Sequence, residues 1–118
     1  MHWAEKLNQF TCTTHYWPLG RNVELSDGAS YVATAADARW LMLVIARELD
    51  DMNVDYWHLR VLVTRVLYST SIKFIDTAGN RVCSTVVSDR TLDVQKFELR
   101  AGWTGDCWML MLPTEDIR

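Results

Sequence analysis

Six tryptophans in 118 residues, Trp3, Trp17, Trp40, Trp57, Trp103 and Trp108, constrain this chain more than any other feature. An indole buries a large area and its N–H needs a partner, so tryptophan belongs in cores and at interface anchors. Here the six are spread from end to end, about one to each predicted element, instead of gathered as a cage for a base or ligand. That spread predicts one well-packed domain over residues 1–118, a length that suits a single core.

Composition narrows the classes of function. A chain that is 49% apolar and 23% charged has ordinary globular composition, which excludes disorder. It has no run of about 20 apolar residues, so no membrane-spanning helix is expected. Residues 1–6 lack the basic and apolar stretches of a secretion signal. Three cysteines, Cys12, Cys83 and Cys107, cannot all pair within one chain, which fits a reduced, cytoplasmic setting. A formal charge of −3 argues against direct binding of nucleic acid, which needs a basic patch to displace counterions.

Along the chain, residues 1–10 read as a short lead-in docked by Leu7 and Phe10. The β-branched and aromatic run 11–17 reads as a strand, and 23–25 pairs back after the turn around Pro18 and Gly20. Ser26 or Asp27 caps a short helix over 29–36, followed by the main helix over 37–49. Apolar residues nearly encircle the middle of that helix, so it is expected to be covered on more than one side, with the first strands closing over it. The second half alternates: strands are predicted over 57–68, 71–76, 81–88, 95–103 and 107–112, joined by short turns. The expected architecture is α+β, a main helix on a four- or five-stranded antiparallel sheet.

Several short segments then stand in a familiar order. They are Gln9-Phe10-Thr11-Cys12-Thr13, Leu25-Ser26-Asp27-Gly28 with Tyr31-Val32-Ala33, Trp40-Leu41, Trp57-His58-Leu59, Ser88-Asp89 with Leu92, and Leu112-Pro113-Thr114-Glu115. Together they resemble a family of small bacterial, phage and plasmid proteins known as a domain of unknown function. Its members read F-x-G-T, L-T-D-G-x-x-Y-L-A, Y-W-L, W-x-L, Y-T-D-F-P-L and L-P-S-E-Y. Cys12 stands here for the usual glycine, Arg90-Thr91 for Phe-Pro, and Asp116 for the final tyrosine. The resemblance spans about residues 9–116 and implies a mobile-element or phage setting, with no reaction, cofactor or catalytic residue attached.

Enzyme signatures are weak in these residues. Cys12 and His15 would face opposite sides of a strand, and no Cys-x-x-Cys or His-Glu-x-x-His pair exists, so no metal site is expected. Cys107, His58 and Asp89 supply the residue types of a nucleophile triad, yet no nucleophile motif surrounds them. The glycines sit in turns, and no glycine-rich loop leads into a helix with a following Lys-Ser or Lys-Thr. No cofactor is expected.

An interaction role has more to stand on. Glu48, Asp50, Asp51 and Asp55 crowd the C-terminal end of the main helix, where the helix dipole favours cations. Neutralisation by Arg47, Arg60 or Arg65 would make the cluster ordinary. Left uncompensated, it is a docking patch for a basic partner. Tyr16, Trp17 and Trp103 fall at predicted turns, where they either close the core or anchor an interface. The expected function is therefore a non-catalytic interaction protein that binds a host protein or nucleoprotein complex with a basic surface and blocks it sterically, in the manner of an anti-CRISPR inhibitor. The alternative is a small-molecule-binding or enzymatic domain with a pocket between helix and sheet, where His58 and Asp89 are the first polar groups to consider. A homodimer through an edge strand such as 71–76 is compatible with either.

Overall fold

The computed structural model describes residues 2–20, 22–52 and 58–117. A 3-10 helix, Trp3–Gln9, leads into three short strands, β1 (Cys12–Thr13), β2 (Trp17–Pro18) and β3 (Val23–Leu25). Two helices follow, α1 (Asp27–Ala35) and α2 (Arg39–Asp50). The second half is β throughout: β4 (His58–Val66), β5 (Ser69–Ile75), β6 (Arg81–Ser88), β7 (Lys96–Trp103), β8 (Trp108–Met111) and β9 (Asp116–Ile117). The expected strand over 11–17 is broken because Thr14 turns its N–H and hydroxyl to the Asp27 carboxylate. Its first part pairs in parallel with β9 and its last with β3.

The main sheet has seven strands in the order β2-β3-β8-β7-β4-β5-β6. This corrects the expectation of four or five antiparallel strands. The first-half strands do not close over the helix; they join the sheet. β3 runs parallel to β8, with Val23 beside Trp108 and Leu25 beside Leu110, while the other neighbours are antiparallel. The Ser26 N–H to Leu110 O bond (2.9 Å) and the Trp108 N–H to Asn22 O bond (2.7 Å) extend that junction at both ends. Strands of two and three residues are too short to carry a period, and a parallel neighbour eighty residues away leaves no local trace.

Alternation in the long strands builds the core. Leu59, Val61 and Val63 of β4 stand with Ile72 and Phe74 of β5 and with Leu99 and Ala101 of β7, all buried on the helix side. Onto them α2 sets Leu41, Met42, Ile45, Ala46 and Leu49. Its outer side carries Arg39, Leu43, Arg47 and Asp50, all exposed, while α1 packs against it elsewhere. Leu43 is the apolar residue that made the pattern look encircling. Trp40 lies under the Arg90 guanidinium at 5.9 Å, and the Glu48 charge acts on Cys83. Cys83 lies near the start of β6 and Arg90 two residues past its end, and Cys83 and Val87 pack against the core that α2 helps to fill.

Glu115 ties the two halves together. The Ser26 hydroxyl accepts from the Ala29 N–H (3.1 Å), capping α1, and donates to Glu115 Oε1 (2.5 Å). The same oxygen accepts from the Leu112 N–H (2.9 Å), and Oε2 accepts from the Gly28 N–H (3.0 Å). The buried carboxylate therefore sits at the positive end of α1 with its hydrogen bonds made. Gly28 permits the approach: a Cβ there would come 2.5 Å from Glu115 Oε1 and 2.5 Å from Leu112 Cδ1.

Replacing Glu115 by alanine strands a hydroxyl and two amide N–H groups, and urea denaturation is expected to show a loss of about 3 kcal/mol or more. Gly28→Ala is expected to cost about 1–3 kcal/mol through overpacking against the same carboxylate.

Candidate interaction surface

Asp27, the first residue of α1, organises an exposed aromatic corner that holds Tyr16 and Trp17. Its Oδ2 accepts from the Thr14 N–H (2.9 Å) and hydroxyl (3.1 Å), and its Oδ1 accepts from the Trp17 Nε1–H (3.2 Å). The Asp27 N–H donates to the Thr13 hydroxyl (2.6 Å). His15 closes the group, with Nδ1 3.9 Å from Asp27 Oδ1 and its ring 6.2 Å from that of Trp17. The backbone N–H of Thr14, more than any other contact, holds the Asp27 carboxyl below the usual carboxylate range.

The result is a tryptophan that is both displayed and held. Trp17 is 49% exposed although its indole N–H is already satisfied within the chain, and it lies on β2, the end strand of the sheet. Tyr16 beside it is also exposed. A held aromatic loses little side-chain freedom on binding and presents its apolar ring without leaving a donor unpaired.

The other expected site residues lie elsewhere. Trp103 is half-buried at the end of β7 and packs edge-on against buried Trp108, with centroids 5.5 Å apart. It closes the core. Glu48 is half-buried and Asp50 and Asp51 are exposed at the end of α2, beside β6, while Asp55 lies outside the described residues. None of the basic residues expected to neutralise them does so among the described residues. Arg60 bonds Glu98 Oε1 at 2.8 Å, Arg65 donates to the Leu92 carbonyl at 3.4 Å, and Arg47 makes no ion pair within 4.0 Å. Trp17 lies on β2, at the opposite edge of the sheet from β6, six strand spacings or about 29 Å away, while the acids lie at the end of α2.

His58 and Asp89 do not converge either. His58 lines a depression of about 300 Å³ with Arg60, Asp76 and Arg100. Asp89 lines a second, of about 620 Å³, with Leu67, Tyr68 and Val86. Neither is lined by a helix residue, and the space between helices and sheet holds side chains such as Leu41, Ile45 and Phe74, which have no exposure. Cys107 lies in the turn before β8, its sulfur 3.6 Å from the Thr104 hydroxyl. Among the described residues, no three His, Cys, Asp or Glu side chains are grouped to hold a metal ion. No described helix is long and apolar enough to cross a membrane.

A model of the family of unknown function DUF6876 matches residues 1–116. The chain belongs to this family. No curated protein and no solved structure matches it. In this DUF6876 member, short segments far apart in sequence meet around the start of α1. Phe10 packs on Tyr31 with centroids 5.2 Å apart, Thr13 receives the Asp27 N–H, and Ser26, Gly28, Leu112 and Glu115 form the buried clasp. The Thr114 hydroxyl donates to the Phe10 carbonyl at 2.8 Å. In the sequence, Glu115 stands only as one letter of the Leu112-Pro113-Thr114-Glu115 motif. A lone Glu three residues after a leucine gives no hint of a buried carboxylate; Ser-Asp-Gly at a helix start was the usable half of the signal.

Because the Asp27 pKa is lowered on folding, its contribution to stability is present above the unfolded value and fades as pH falls through the folded one. Asp27→Asn is therefore expected to lose less stability than the parent chain between about pH 5 and about pH 3. Urea midpoints at the two pH values check this.

Proposed function

We propose that this protein is a non-catalytic α+β interaction module that docks on a protein partner through the β2 edge, with Trp17 as its anchor. The observation that carries the reading is the exposed indole whose N–H is held by Asp27, which prepays the ordering of an interface residue. Tyr16 and His15 flank it and widen the contact. A net charge of −3 favours encounter with a partner of basic surface, at rates that fall with added salt. With the mobile-element setting implied by the sequence motifs, the partner in this reading is a host protein or nucleoprotein complex. The action is steric: a rigid body covers a working surface in the cytoplasm of the bacterial host. The filled space between helices and sheet favours this reading over a pocket-based one.

The test is affinity purification from a bacterial host with the tagged parent chain and with Trp17→Ala, both verified as folded by circular dichroism. Proteins retained by the parent chain are expected to fall at least about tenfold in the variant, the effect of losing a hot-spot aromatic. Equal recovery by the two chains removes Trp17 as the anchor.

A further inference from the structure

At the far edge of the sheet, β6 is the strand most open to pairing. It is eight residues long, and residues 82–88 contain no charge and no proline. Half of its backbone groups point away from β5, as in any terminal strand of an antiparallel ladder. The opposite edge is protected in the usual way, for β2 is two residues long and ends in Pro18. On the open face of the sheet, Val86 of β6 is 63% exposed. Pairing was expected at 71–76, but that segment falls in β5, which is interior, so the available edge is β6.

The charges on the nearby helix α2 indicate what the edge pairs with. α2 lacks a side-chain cap at its N-terminus, where Ala38 stands, and has no acid in its first turn. Arg39 opens it and Arg90 lies over Trp40 there. Its other end carries Glu48, Asp50 and Asp51, with no cation within 4.0 Å among the described residues. The N-terminal end has neither cap nor acid, at the C-terminal end three acids outnumber Arg47, and each end supplies what the other lacks. They are one helix length apart, so no side chain can bring them together within one molecule.

We propose that two copies of this chain pair antiparallel through β6 about a two-fold axis, so that the acids ending α2 of one copy meet the Arg39–Arg90 end of α2 in the other. Antiparallel strand pairing sets that axis perpendicular to the sheet, which keeps the helices of both copies on the same face and aligns the two α2 helices antiparallel. Glu48, Asp50 and Asp51 then approach Arg39, Arg90 and the uncapped amides of the second copy, twice over. Leu43 and Val44 occupy the middle of the helix seam, and Val86 is covered near the axis on the other face. This surface lies across the sheet from Trp17 and stands whether or not Trp17 is an anchor.

Sedimentation velocity over a concentration series tests the proposal on the full chain, with circular dichroism as the control for folding. The parent chain is expected to dimerise. Arg39→Glu with Arg90→Glu, and separately Asp50→Arg with Asp51→Arg, are each expected to weaken the dimer at least about tenfold. Mixing the two reversed chains is expected to restore it, because at both junctions of the mixed dimer opposite charges meet again. A parent chain that stays monomeric at its solubility limit overturns the proposal. So do reversed chains that dimerise as well as the parent, or a mixture that stays monomeric. Trp17→Ala is expected to dimerise normally; loss of the dimer in that variant would assign the contact to the β2 edge instead.

Discussion

The Glu115 carboxylate is the interaction on which the rest of the architecture rests. A buried charge is tolerable only with its hydrogen bonds made, and here the donors come from Ser26, Gly28 and Leu112. Those donors belong to the start of α1 and the end of β8, so satisfying one carboxylate fixes the helix against the sheet and the C-terminal segment against both. The parallel junction between β3 and β8 lies directly beside it. Without that junction the first-half strands would have no sheet to join, and the sheet would end at β8.

The same helix terminus works on two levels. Its inner donors serve Glu115, while the first residue, Asp27, faces outward and gathers Thr14 and Trp17. A structural clasp and a displayed aromatic are thus built on one turn of helix. At the opposite edge, β6 is the terminal strand of the sheet and α2 carries separated charge. In the proposed pairing, a second copy supplies a strand, a helix and opposite charges in matching order.

Much of the fold was legible in the residues. Alternation in β4, β5 and β7 and the turn chemistry around Gly79 mark the second half, because side chains two apart share a face and the turn residues carry their own backbone preference. Ser26 was readable as a cap since Ser precedes a helical pattern. The β4–β5 turn was not: Leu67 adopts φ +56 where Asn or Gly is usual, and at 85% exposure it gains nothing from the core. Of the candidate site, the type of each residue was readable and the grouping was not. Asp50 and Asp51 are exposed and Glu48 half-buried at the end of α2, whereas Tyr16 and Trp17 lie at the β2 edge of the sheet and Trp103 at the rim of the core.

Sequence alone determined the number and order of the longer elements, the apolar face of each, and the excess of acid at the end of α2, since all of these depend on neighbours within a turn of helix or a few strand positions. Tertiary structure decided that two- and three-residue strands would enlarge the sheet, that Glu115 would be buried at a helix start 87 residues away, and which strand would be left at the edge. Those outcomes turn on hydrogen bonds between groups distant in the chain, whose partners are chosen by which buried donors still need an acceptor and not by any local pattern.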